Sequence, residues 1–188
     1  MNYIYRNNLR MIISQKLHQF YLDNNLDKNG GENNDYFIMK FRFFSLKLPN
    51  SSFRKKVIYI HDIEHILFNC DVSWKGEAFI AGWEISTGMW KHFPIGIMSL
   101  WAMGFGLFTY PKDIVKGYQK GLSYTGLIDT NITKKEIMKL TSAEVNQLLL
   151  KLKPKGFNIL TFSLLSILSI IILISPILVF VILWFVFL

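Results

Sequence analysis

Along most of the chain apolar residues recur at three- and four-residue intervals, the period of a helix with one buried face. Residues 2–22 carry Ile4, Leu9, Ile12, Ile13, Leu17, Phe20 and Tyr21 in this pattern, with basic side chains on the other face. Such a face either stands in solvent or rests on lipid. Residues 23–35 (DNNLDKNGGENND) are polar and rich in Gly and Asn, which predicts an exposed loop. Residues 36–48 form another apolar and basic stretch, closed by Pro49-Asn50-Ser51-Ser52. Ser51 or Ser52 is suited to cap the next helix, because a Ser oxygen accepts from the free amides of a first turn. From Ser52 to Phe68 there is no Gly or Pro and the spacing stays helical. Asn69-Cys70-Asp71 with Ser73 then predicts a turn and an N-cap. The helix that follows carries Glu77 in its first turns, and Thr87-Gly88 marks its end.

Residues 93–110 (FPIGIMSLWAMGFGLFTY) hold no charge over eighteen positions and include three glycines. That length reaches the lower limit for a membrane span. A buried helix, or a lip dipping into one leaflet, accounts for it equally. Pro111-Lys112-Asp113 opens a further helix through Lys120, and residues 142–152 repeat the helical pattern. No strand alternation argues for a sheet, so the expected fold class is all-α. Lys151, Lys153, Pro154, Lys155 and Gly156 form a boundary. Beyond it, residues 159–188 are uncharged, about 45 Å if helical against a hydrocarbon core of about 30 Å. A membrane anchor is expected there, as one tilted span or as a hairpin kinked at Ser175-Pro176. The expected organisation is a basic N-terminal region over 1–50, a helical domain over 51–156 and the anchor over 157–188.

Composition sharpens this picture in two places. The chain has 188 residues, 51% of them hydrophobic, and a net charge of +8. Every Lys and Arg lies before residue 156, so the positive charge belongs to the body and not to the tail. A basic, aromatic-rich body on an apolar tail suits an anionic membrane surface. No basic block or nucleic-acid motif accompanies it, so a nucleic-acid partner is not expected. The lysines before the tail predict that the domain stays on the cytoplasmic side. One cysteine, Cys70, excludes an internal disulfide and any Cys-based zinc site, and suits a small buried apolar thiol. The first twenty residues mix charge through their apolar positions, so no secretory signal is expected.

The candidate chemistry lies in residues 57–77. His61, Asp62 and His65 read His-Asp-x-x-His, and Glu77 follows after eleven further residues. On a helix His61 and His65 stand about 40° apart around the axis, with Asp62 about 60° from His65. All three can therefore converge beside the helix, and an antiparallel second helix would return Glu77 to them. Two imidazoles and two carboxylates suit a divalent metal, zinc first, with iron or manganese as alternatives. A His pair at this spacing is also an ordinary surface or core feature, and a Glu in a first turn interacts favourably with the helix dipole.

This His-Asp-x-x-His-x11-Glu pattern resembles the metal motif of the coenzyme Q biosynthesis protein 4 family. Leu67, Asp71 and Gly76-Glu77 stand in similar context, as do Tyr118-Gln119-Lys120-Gly121, Leu127 to Asp129, and Ser142-Ala143-Glu144-Val145 to Leu152. The resemblance covers roughly residues 55–153. It implies that His61, Asp62, His65 and Glu77 are metal ligands. It further implies bound polyprenyl lipid and a place in ubiquinone assembly. The implied reaction is oxidative decarboxylation and hydroxylation at the ring carbon bearing the carboxylate of a 4-hydroxybenzoate-derived precursor. Zinc cannot itself exchange electrons with oxygen, so a redox role would need another metal or a substrate-borne electron path. The prenyl tail would need an apolar groove, for which Phe93, Ile97, Leu100, Trp101 and Phe105 are candidates. Membrane lipid and a polyprenylated quinone precursor are the implied partners, with other quinone-biosynthesis proteins and a second copy of the chain as further ones. The apolar tail departs from the family pattern, where only peripheral attachment is expected.

Two other functions fit some of the residues. A lipid-binding scaffold without turnover would use the metal to hold two helices together. A phosphohydrolase of the HD type would use His18, His61-Asp62 and Asp113 or Asp129, leaving His65 and Glu77 without a role. Gly104-Phe105-Gly106 lacks the strand and helix context of a dinucleotide loop, and no nucleophile elbow is present. His18 and His92 are otherwise expected to be ordinary histidines.

Overall fold

The structure is a computed structural model that describes residues 11–41 and 43–187. Within them the fold is all-α apart from one hairpin, and the chain divides into two compact units. The first unit is Met1–Asn69 with Asn131–Leu148, and the second is Cys70–Thr130 with Leu149–Leu188. The N-terminal positions Ile4 and Leu9 of the expected helix lie outside the described residues.

In the first unit α1 (Ile13–Asp23) buries Ile13, Leu17 and Tyr21, which share one helical face. Its start is tied to the later segment of the unit, where the Ile13 amide donates to the Leu140 carbonyl at 2.7 Å. That later segment carries α6 (Lys134–Ile137) and α7 (Ser142–Leu149). Thr133 caps α6, and its own amide donates to Glu136 at 2.8 Å. Thr141 and Glu144 repeat the arrangement at α7, with 2.7 Å between the Thr141 amide and Glu144. These reciprocal bonds satisfy amides that a helix start leaves without partners.

Residues 36–49, read from the sequence as an apolar stretch without strand character, form an antiparallel hairpin. Strand β1 (Tyr36–Lys40) pairs with β2 (Ser45–Pro49) in the register Tyr36 to Pro49 and Lys40 to Ser45. Strand β1 alternates exposed and half-buried positions, Phe37 and Met39 being half-buried, but its open face carries Tyr36 and Ile38, and β2 leaves Leu46 exposed. Period-two patterning is legible in a sequence when polar residues take the open face, and in β1 apolar residues occupy both faces. Helix α2 (Ser52–Phe68) follows, with the predicted bounds. Ser51 occupies the N-cap position, and Asn69 closes the helix in the left-handed conformation at φ 52°.

In the second unit α3 (Trp74–Thr87) is capped by Ser73, whose oxygen accepts from the Gly76 amide at 3.3 Å, and closed by Gly88 at φ 113°. Both ends agree with the sequence expectation. Helix α4 (Ile95–Thr109) and α5 (Pro111–Gly121) complete the body. The α3–α5 crossing is close because Gly82 and Gly117 face the other helix's backbone: a Cβ on Gly117 would run into the Phe79 carbonyl. Ala78, Ala81, Ile85, Leu100, Met103, Ile114, Tyr118 and Leu165 form the core between these helices and α8 (Ile159–Phe187). Helix α8 runs through Pro176 without turning back. Among the described residues it is the one helix long and apolar enough to cross a membrane.

Candidate metal centre

Helix α2 presents the motif. With no Gly or Pro between Ser52 and Phe68, its register is unbroken, and one turn separates His61 from His65. Their Nε2 atoms stand 3.2 Å apart, with the rings edge to face at a centroid distance of 4.8 Å. Two histidine nitrogens on one tetrahedral zinc, at bonds of about 2.0–2.1 Å, would lie about 3.3 Å apart. The pair's separation is compatible with two nitrogens on one metal ion and is also that of a hydrogen bond between the two rings in unlike tautomers. His65 is 1% exposed, and the Phe20 ring of α1 packs against it at 5.7 Å, which fixes the imidazole plane.

Asp62 is buried on the same helix, but its Oδ2 accepts from the Tyr21 hydroxyl at 2.9 Å. Burial raises its carboxyl above the usual range, and His61, Tyr21, His65 and Arg54 act against that shift. Burial, reinforced by Asp62, likewise raises the Tyr21 hydroxyl. Gly30 comes up against Asp62 with φ +64°, and a Cβ there would meet the carboxylate oxygen. Asn50 holds this loop in place, donating to the Gly31 carbonyl at 3.0 Å and the Asn34 carbonyl at 2.9 Å. Consecutive residues of α1 therefore serve the motif differently, Phe20 on His65 and Tyr21 on Asp62.

In the second unit Glu77 stands half-buried in the first turn of α3. One further turn pair along the helix, Glu84 is buried and accepts from the Ser99 hydroxyl at 2.6 Å. His61 and His65, with Glu64 on the same helix, are side chains of types that bind metal ions, and Glu77 and Glu84 of α3 are carboxylates of such a type in the second unit. Glu64, 0% exposed, and Glu84 were not singled out from the sequence. Their signal is a carboxylate inside an otherwise apolar run, as in the segment AFIAGWEI. Tyr21 and Phe20 carry no local signal, because they lie forty residues from the motif.

The other predicted residues are placed as follows. Leu100 is part of the second unit's core, whereas Phe93 and Ile97 are exposed and Trp101 and Phe105 half-buried. Trp101 and Phe105 stack at 5.9 Å, and Trp74 leans on Phe105 at 4.5 Å. His18 lies on the exposed face of α1, and His92 bonds to Asp129 at 2.8 Å. Cys70 is half-buried; burial, then Asp71, Glu77 and Asp113, push its thiol up to about 11, which keeps it protonated at neutral pH. The chain matches no protein-family model, no curated protein and no solved structure.

Proposed function

We propose that this chain is a membrane-anchored quinone-biosynthesis protein of the coenzyme Q biosynthesis protein 4 type, holding a divalent metal with His61, His65 and Glu77. The observation that carries the proposal is the 3.2 Å separation of the two Nε2 atoms on an unbroken helix. The His-Asp-x-x-His-x11-Glu spacing supports it. Asp62 completes the ligand set or, bonded to Tyr21, orients the helix that bears it. Zinc is the first candidate, with iron or manganese as alternatives, since the donors are nitrogen and oxygen. Bound there, the metal would supply a Lewis acid for a carboxylate or phenolic oxygen of the substrate.

The substrate class is a polyprenylated 4-hydroxybenzoate. Its carboxylate leaves as CO2 and a hydroxyl takes its place, a net two-electron oxidation of the ring. The step balances with dioxygen as oxidant, water as hydroxyl source and hydrogen peroxide as co-product, the electrons leaving the substrate directly if the metal is zinc. His61 and His65 would hold the metal through Nε2, and Phe20 packs on one side of His65. Helix α8 spans the membrane, and Lys151, Lys153 and Lys155 keep the body on the cytoplasmic side.

The test is elemental analysis of detergent-purified wild type beside His65→Ala and Glu77→Ala, with thermal melts on the same samples. Metal at one per chain, lost in both variants while the fold persists, supports the site and leads to turnover assays with the precursor. Metal and fold lost together would favour a scaffold in which the ion has a structural role. Wild type purified without chelators and free of metal would overturn the proposal.

A further inference from the structure

We propose that α4 lies in the hydrocarbon of the bilayer beside α8, so that its outward stripe of Ile97 and Phe108, with Phe93 at its entrance, contacts lipid chains. The proposal rests on α8 crossing the membrane and adds an embedded surface to the anchored body.

The depth follows from helix geometry. Helix α8 has 29 residues, about 43 Å of axis, against about 30 Å of hydrocarbon. Ser169 stands ten residues beyond Ile159, about 15 Å along that axis. Whichever 30 Å or so of α8 is immersed, the level of Ser169 falls inside the hydrocarbon. Gly104 is in contact with that level: a Cβ on it would stand 2.5 Å from the Ser169 carbonyl oxygen and 3.1 Å from the Leu173 Cβ. Small residues admit such close backbone approach between membrane helices. Gly104 lies near the C-terminal third of α4, so the helix is carried to the same depth.

The composition of α4 agrees with that place. Residues 93–110 carry no charge, and Lys91 and Lys112 bracket them. Trp90 and Tyr110 flank the two ends, both partly exposed, as aromatic residues do at a membrane interface. On the helical face that carries Gly104, Ile97 and Phe108 flank the α8 contact and stay 46% and 67% exposed, and Phe93, just before the helix, is 82% exposed. In water these large apolar side chains would stand open to solvent on one uncharged helix, and grouped exposure of that kind marks an interaction surface. At fifteen residues, about 22 Å, α4 is too short to span, so it lies in one leaflet beside α8 with both of its ends near the same interface.

The full chain, carrying Cys70→Ser, is labelled with an environment-sensitive fluorophore at single cysteines replacing Ile97, Phe108, Leu178 or Lys135. Each is reconstituted in phosphatidylcholine/phosphatidylglycerol vesicles and quenched either by acyl-brominated lipid or by aqueous iodide. Positions 97, 108 and 178 are expected to be quenched severalfold more by brominated lipid, and position 135 by iodide alone. Iodide access at 97 and 108, with 178 still lipid-quenched, would overturn the proposal and leave a tethered body. Protection of 97 and 108 from both quenchers would also overturn it, in favour of a second copy covering the stripe. Iodide access at 178 would show that α8 does not cross, ending both this proposal and the anchored reading. Melting curves matching the Cys70→Ser parent establish that each labelled chain is folded, and a label at Phe93 replaces any that is not.

Discussion

His65 is almost fully buried, packed by Phe20 and set one turn from His61, whereas its neighbour Asp62 turns to Tyr21. This separation at single-residue resolution makes Tyr21→Phe informative. Removing the hydroxyl leaves a buried carboxylate short of a donor, at a cost of about 1–3 kcal/mol, read as a lower melting temperature. The histidine pair is untouched by that change, so metal content should persist in elemental analysis of the same variant. His65→Ala is expected to do the reverse, losing metal because one of two facing nitrogens is gone. The i, i+4 spacing made the pair legible in the sequence. The Tyr21 bond was not, because a contact across forty residues leaves no periodic trace.

At the scale of elements, the close crossing of α3 and α5 depends on Gly117. A Gly to Ala change inside a helix ordinarily stabilises by about 0.5–1 kcal/mol. At Gly117 the added methyl meets the Phe79 carbonyl, and overpacking costs about 1–3 kcal/mol, so Gly117→Ala is expected to lower the melting temperature. The capping boxes give a pH-dependent prediction. Bonds from the Thr133 hydroxyl and amide hold the Glu136 carboxyl below its usual range, and the Thr141 amide and hydroxyl do the same for Glu144. A depressed folded pKa contributes stability above the unfolded value, near 4.3 for Glu, and that contribution is lost as pH falls through the folded value. Glu144→Gln should therefore melt slightly below wild type at about pH 7 and converge with it towards about pH 3. The ends at Ser51, Asn69, Ser73 and Gly88 were legible because Ser, Asn and Gly occupy positions that backbone geometry requires, whereas α6 and the boxes at Thr133 and Thr141 were not read. The hairpin of residues 36–49 was not, since its ladder is made by backbone groups whose pairing the exposed side chains do not report.

At the scale of the whole molecule, α8 predicts that the full chain stays in the membrane pellet after alkaline carbonate washing and needs detergent for release. Release by carbonate would sink the anchor. The sequence by itself determined the helical class, the bounds of α2 and α3, the apolar tail and the pairing of His61 with His65. These are properties of neighbouring residues: periodicity, capping and uninterrupted hydropathy act over one or a few turns. Only the tertiary structure decided that α1 packs Phe20 and Tyr21 on the motif, that Glu84 is buried against Ser99, and that α4 meets α8 at Gly104. Those choices depend on which surfaces meet after the chain has folded back on itself. Packing of this kind is fixed by the shapes of distant side chains together, which no local pattern encodes.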